Sequence, residues 1–410
     1  MHGVSCFAMY QASGLNAVRI VREAEVRADR HVLDRLWEEP TTFAFVPSNL
    51  ALTEDWIVAS LALIPAEYRR EHFILMTSGS TGQPKLIVAR KDRAERLAAA
   101  IHVAQDGEPA QETIACLPLS YSYSFVNQWL WAHHLRRRLV QTDGFTRADE
   151  LKAALDAAKE AMTCMVGIQV PLLRQLFGTH RFPGVIRLNF AGGRFPQEHL
   201  DALHEIFPNV RIFNNYGCAE AMPRLTVRRA EDASSAADVG FPLPGVELRA
   251  AADEQLEFRS PYRAVAVIEG ERFRPLDDSE WMVTGDLGRA AENGSWLLLG
   301  RKSEVFKRFG EKISLPAIQA AVQRVWIGEL AFYRETDTLG ENAHVMVLAP
   351  RPEREQLRAI LAELRRDFTR PHWPFRIESR DQLPRLPSTK VDGGALSERG
   401  GVTVEWSQQY

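Results

Sequence analysis

MTSGSTGQPK, Met76 to Lys85, decides the reading of this 410-residue chain. An apolar run, FILM, passes directly into serine, threonine and glycine and ends in Pro-Lys, which reads as a strand entering a loop. Glycines let backbone N–H groups converge on one point. Hydroxyls add donors, and Lys85 adds a positive charge, so the loop suits a triphosphate. The spacing is not GxxxxGK[ST], which disfavours an ordinary P-loop NTPase. The competing reading is a polar, Gly-rich turn.

Outward from this loop, short apolar strands alternate with helical stretches. FILMTS, TIACLPL, MTCMVGI, VIRLNFAG and RIFNNYG read as strands, and Thr42 to Val46 as an earlier one. Arg90 to Val103, Arg147 to Met162, Val170 to Phe177 and Gln197 to Phe207 read as helices, as does Asn16 to Trp37. Such alternation predicts an α/β fold of mostly parallel, layered sheets with helices on their faces. Between Asp238 and Leu299 short strands and Gly/Pro turns predict a small β-rich subdomain. Beyond Arg301 a helix near Pro316 to Val325, a strand His344 to Leu348 and a helix Glu353 to Phe368 predict a small α+β domain. The expected boundary is Gly300-Arg301, giving a large domain over 1–300, β-rich from about 238, and a small one over 301–410.

Composition excludes some function classes. Fifty Lys+Arg against 53 Asp+Glu give a formal charge of -3, so no nucleic-acid or anionic-membrane surface is indicated. The mix of 45% hydrophobic and 25% charged residues is that of a globular protein. Cys6, Cys116, Cys164 and Cys218 are scattered without metal spacing, and read as reduced, packed thiols. No signal peptide and no apolar run of membrane-spanning length is visible, so the expected location is the cytoplasm.

Four further stretches can carry chemistry. In NNYGCAE, Asn214 to Glu220, Tyr216 could stack on a base and Glu220 could hold Mg²⁺ beside phosphate oxygens, at a strand end where α/β folds bind ligands. In WMVTGDL, Trp281 to Leu287, Asp286 could accept both hydroxyls of a ribose. GRKSEVFKRFGEKIS, Gly300 to Ser314, is basic and Gly-marked at the expected boundary. LPRLPSTKVDGGAL, Leu383 to Leu396, presents one lysine, Lys390, in a Pro-punctuated loop. Each alone is also readable as an ordinary turn or linker.

In this order the five stretches resemble the adenylate-forming superfamily of acyl-CoA synthetases, peptide-synthetase adenylation domains and luciferases, over roughly Phe73 to Leu396. The resemblance implies roles residue by residue. Thr77, Ser78, Gly79, Ser80, Thr81, Gly82 and Lys85 match the phosphate loop. Gly192 and Gly193 match the segment beside the adenine, and Asn215, Tyr216 and Gly217 the adenine-stacking turn. Glu220 falls on the Mg²⁺-binding glutamate, Asp286 on the ribose aspartate and Arg301 on the arginine that follows it. Ser303 occupies the hinge, where Asp or Lys is usual. Lys390 matches the catalytic lysine of the mobile C-terminal domain, so Lys85, Glu220 and Lys390 are the implied catalytic set.

The implied activity is ATP-dependent adenylation of a carboxylic acid, then transfer to the thiol of CoA or of a separate acyl carrier protein's phosphopantetheine. The segment LPLSYSYSFVNQWLW, Leu117 to Trp131, corresponds to the acyl pocket, with Tyr121 at the gate, Tyr123 beside it and Asn127 or Gln128 as polar contacts. Phe125 and Trp129 lie close by, although aromatics so spaced are commonly core. The segment has no aspartate for an α-ammonium group, which favours an aryl or fatty acid over an amino acid. Three departures stand out: a reduced region ahead of Thr77, Ala219 in place of a threonine, and Thr389 in place of a glycine. The first two motivate a second reading, a nucleotide-binding pseudoenzyme or regulatory module.

Overall fold

The computed structural model describes residues 18–48, 50, 52–78, 84–105, 110–192, 195–337, 340–385, 391–398 and 400–408. The chain forms two compact units. One runs to Leu248 and includes Phe258–Met282 and Ala291–Trp296; the other comprises Arg249–Glu257, Val283–Ala290 and the chain from Leu297 onward.

In the first unit, strands β1 (Arg19–Arg22), β2 (Phe43–Val46) and β3 (His72–Ser78) lie parallel, in that order. β4 (Pro84–Arg90) returns antiparallel to β3 with Thr77 opposite Lys85. Strands Ala266–Glu269 and Arg272–Pro275 continue the sheet beyond β4. Phe43 to Val46 and Phe73 to Met76 are buried throughout, as strands covered on both faces must be. On one side Ile57, Leu61, Ile74 and Val88 share a core. On the other, Trp37, Phe43, Phe73, Phe125 and Trp129 interlock, with Phe125 stacked on Phe73 at 5.1 Å and tilted against Trp129 at 4.8 Å. Phe125 and Trp129 are therefore core.

The expected single helix Asn16 to Trp37 is not formed where the chain is described. The β-branched pair Ile20 and Val21 lies in β1, and helices α1 (Glu23–Ala28) and α2 (Val32–Glu38) follow. Glu25 caps the start of α1 by accepting the Arg22 N–H at 3.0 Å, and Asp29 breaks the path by accepting that of His31 at 3.0 Å.

The second sheet of this unit is the expected parallel one. β5 (Glu112–Ala115), β6 (Arg138–Gln141), β7 (Ala161–Val166), β8 (Val185–Ala191) and β9 (Arg211–Tyr216) lie in the order β9-β8-β7-β5-β6. β10 (Thr226–Arg229) and β11 (Asp238–Pro242) extend it antiparallel beyond β9. Helices Lys91–Ala104, Val170–Phe177 and Leu200–Ile206 fall where expected. The helix expected to reach Met162 stops at Asp156, because Glu160 turns through φ +50° and hands Ala161 onward to β7. Residues 122–134 form an unforeseen helical segment whose centre, Phe125–Leu130, is a π-turn.

The second unit carries most residues of the neighbouring strands Glu247–Ala250, Gln255–Arg259, Met282–Ala290 and Trp296–Arg301, the β-rich texture read from the sequence. It then builds a four-stranded sheet from Glu329–Thr336, Asn342–Ala349, Arg376–Ser379 and Thr403–Ser407, covered by helices Leu315–Val322 and Arg354–Asp367 around Ile318, Leu348, Ile360 and Leu364. This is the expected small α+β element. Among the described residues no helix is long and apolar enough to cross a membrane.

Candidate active site

Lys85 is held by the sheet and not by the loop. It lies on β4 opposite Thr77 of β3 on one side and Glu269 on the other. Its ammonium donates to Glu220 at 2.6 Å and to Glu269 at 2.6 Å. Burial alone would pull the lysine's pKa down; the two carboxylates outweigh it and hold Lys85 above the usual range. Burial pushes Glu220 up, but Lys85 outweighs this and keeps that carboxyl below its usual value. The sequence put Lys85 and Glu220 in one implied catalytic set, as phosphate lysine and Mg²⁺ glutamate, without an ion pair between them, and it missed Glu269. Its only signal is a glutamate closing a strand before Gly270, and nothing local reveals the cross-sheet register.

Glu220 sits on the connection that follows β9. Gly217 lets this loop double back: a Cβ there would meet the Pro223 carbonyl oxygen at 2.1 Å. Met222 then turns through φ +64°, a conformation uncommon for a side-chain-bearing residue, while fully buried. Tyr216 ends β9 and is buried. Asn215 is engaged in structure: its amide donates to the Phe190 carbonyl at 3.1 Å and accepts from Gln105 at 2.8 Å, tying β9 to β8 and to the residue after helix Lys91–Ala104. Gly192 follows β8 at φ +81°.

In the second unit, Asp286 is buried and meets Arg301 at 3.0 Å. The tight turn expected before Asp286 is not formed: Asp286 lies within strand Met282–Ala290, where Gly285 takes φ +79° and the Asp286 N–H donates to Thr284 Oγ1 at 3.0 Å. Ser303 lies in the 3-10 turn Lys302–Glu304, and Lys302 donates to Asp253 at 2.9 Å. Gly79, Ser80, Thr81, Gly82, Gly193, Thr389 and Lys390 lie outside the described residues; Ser78 closes β3.

The expected acyl-pocket residues separate by role. Tyr121 is half-buried and precedes the helical segment 122–134. Gln128 faces β5, donating to Thr113 at 3.1 Å and to the Ile114 carbonyl at 2.9 Å. Asn127 donates to the Tyr123 carbonyl at 2.8 Å and accepts from Arg224 at 2.5 Å, and the Arg224 guanidinium lies 5.2 Å from the centre of the buried Tyr123 ring. Arg224 was not foreseen, since only the loop's closure brings it to the helical segment.

Among the described residues no group of three His, Cys, Asp or Glu side chains forms an all-protein metal cage. Two carboxylates on one lysine nevertheless fit Mg²⁺, an ion usually held by one or two carboxylates and by phosphate oxygens.

Residues 11–262, more than half of the chain, match the family described as AMP-binding enzyme. This chain belongs to the AMP-binding enzyme family. Among curated AMP-binding relatives, the isonitrile lipopeptide synthase of Streptomyces coeruleorubidus is 26% identical over 356 residues, 79% of this chain and 23% of that protein. The malonate–CoA ligase of Arabidopsis thaliana is 25% identical over 310 residues, 67% of this chain and 50% of that one. The chain thus spans a half or less of these two relatives' lengths. The solved anthranilate CoA ligase AuaEII, in complex with anthranoyl-AMP, superimposes with a TM-score of 0.69 at 19% identity, covering 91% of this chain and 76% of that one. The AMP-binding fold expected from the sequence is therefore the one observed.

Proposed function

We propose that this AMP-binding enzyme adenylates a carboxylic acid with ATP and passes the acyl group to a thiol, that of CoA or of a carrier protein's phosphopantetheine. The observation that carries the reading is the Lys85–Glu220–Glu269 cluster at the mouth of the β3–β4 hairpin. A lone exposed lysine would be a surface charge. A part-buried lysine kept fully protonated, beside a carboxylate kept fully ionised, is an arrangement for polyphosphate and its counter-ion.

In the first half-reaction a carboxylate oxygen of the acid attacks the α-phosphorus of ATP. The P–O bond to pyrophosphate breaks, and an acyl-AMP mixed anhydride remains. Lys85, exchanging Glu269 for phosphate oxygens, offsets charge on the departing pyrophosphate. Glu220 would hold Mg²⁺, which when bound neutralises phosphate charge. Asp286 and Arg301 would take the ribose, and Tyr216 with Gly217 and the Gly192–Gly193 segment the adenine. Lys390 would bridge acid and α-phosphate from the 301–410 domain, pivoting about Ser303. In the second half-reaction a thiolate attacks the acyl carbon and AMP leaves with the C–O bond electrons.

Acid-dependent ATP–pyrophosphate exchange tests this. Exchange with some member of a broad acid panel, lost in Lys390→Ala and in Glu220→Gln, is the expected result. Silence across the panel, with ATP still bound, would leave the pseudoenzyme reading standing instead.

A further inference from the structure

Among the described residues three arginines are large, fully buried side chains: Arg224, Arg263 and Arg308. Two of them face carboxylates. Arg308 meets Asp337 at 2.9 Å; Arg263 lies 3.7 Å from Asp278 and donates to the Glu280 carbonyl at 2.8 Å. Arg224 does not. Its Nη2 donates to neutral Asn127 and its face lies on the Tyr123 ring, while Nε and Nη1 have no acceptor among the described residues. At least three of its five N–H donors are thus left over, one on Nε and two on Nη1.

The ionisable groups that act on this guanidinium are Tyr123 and Cys164, and both are neutral at pH 7. Burial pushes the phenol well above its usual value and the thiol up to about 12. A buried cation with unused donors and no counter-charge is strongly unfavourable unless something completes it. Its position suits a ligand. Arg224 follows Glu220 on one loop, and its partners Tyr123 and Asn127 belong to the helical segment read as acyl pocket. That segment contains the π-turn Phe125–Leu130, an irregularity that recurs at functional sites.

We infer that Arg224, framed by Tyr123 and Asn127, is the counter-charge for a second carboxylate on the substrate, so that the enzyme activates dicarboxylic acids in preference to monocarboxylic ones. The inference rests on the adenylation reading and narrows its substrate class. It also accounts for the absence of an acidic side chain for an amino group, since an ammonium beside Arg224 would be repelled.

The test compares chain-matched acids (butyrate with succinate, valerate with glutarate, 3-methylbenzoate with isophthalate) in ATP–pyrophosphate exchange by the full chain. It is paired with calorimetric binding of each acid without ATP. Each diacid should exceed its monoacid in kcat/KM by roughly tenfold to a hundredfold, the worth of a charge-assisted contact. Arg224→Met should erase that ratio, and Arg224→Lys should keep part of it. Unliganded Arg224→Met should melt no lower than wild type, since an unpaired buried charge has been replaced by an apolar chain. A variant that melts lower while its acid ratio stays unchanged would show that Arg224 is structural, and would overturn the inference. So would exchange that serves monoacids as well as diacids, although adenylation would then stand. If no acid supports exchange, adenylation falls and calorimetry decides: diacid binding lost in Arg224→Met retains the anion site, and no diacid binding removes it. Should Arg224→Met fail to fold, the wild-type acid pairs and Arg224→Lys decide between the same outcomes.

Discussion

Replacing Lys85 with methionine should change not only the stability of the first unit but the direction in which Glu220 makes it depend on pH. The side chains of Lys85 and Glu220 are 18% and 20% exposed and 2.6 Å apart. Removing one member of a fully buried pair costs about 3–5 kcal/mol, and exposed pairs contribute at most about 1 kcal/mol. With both partners a fifth exposed, Lys85→Met should cost about 2 kcal/mol at neutral pH, on the scale those limits set. In wild type, Glu220 titrates below its unfolded value, so its contribution is present above that value and is lost as acid drives pH through the lowered one. In the variant burial dominates at Glu220, its pKa rises above the unfolded value, and protonation relieves the buried charge. The wild-type advantage should therefore shrink steadily as pH falls from about 7 to about 4, each unit of pKa difference corresponding to about 1.4 kcal/mol. Lys85 itself is held above the usual lysine range, so its own titration lies at higher pH than this window. Urea denaturation of both proteins at several pH values measures the difference directly, and the double variant Lys85→Met/Glu220→Gln should recover part of the loss. A difference that is constant with pH, or that widens in acid, would refute the coupling.

Three other outcomes are open to simple measurement. Asp286→Asn should cost under about 1 kcal/mol in a thermal melt, because its partner Arg301 is 54% exposed, yet weaken ATP binding by calorimetry roughly tenfold or more if the carboxylate holds the ribose. Gly217→Ala should lower both stability, by about 2 kcal/mol or more, and exchange activity, since a methyl 2.1 Å from the Pro223 carbonyl oxygen forces the loop carrying Glu220 to move. Among the described cysteines, Cys218 should react with a disulfide reagent at pH 8 while Cys116 and Cys164 stay protected until unfolding, burial having pushed those thiols up to about 11 and about 12.

The parts of this protein that were legible in advance are those set by local chemistry. FILM had to be a strand and lies in β3, and Val170 to Phe177 forms a helix with the predicted ends because Pro171 starts it and the apolar face is continuous. What the sequence could not display was register. Glu269 stands beside Lys85 only because two strands distant in the chain align at that residue, and Arg224 meets Asn127 only because the Gly217 loop folds back. Local reading also over-extended helices. Asn16 to Trp37 carries the charges of a surface helix, but its β-branched beginning is worth more as a partner for β2. The aromatic residues at 125 and 129 lay in the expected acyl-pocket segment although aromatics so spaced are more often core, and the sheet packed against them makes them core.

A π-turn is in effect an α-helix holding one surplus residue. Each residue advances an α-helix by about 100°, so deleting Val126 would restore a regular helix while swinging Tyr123 away from Asn127 and the Arg224 guanidinium. The acid that this chain accepts would thus change by loss of one codon, without any substitution in the strand that holds Lys85 or the loop that holds Glu220. A deletion variant that folds cooperatively with a changed acid preference would show that route to be open; one that does not fold would close it.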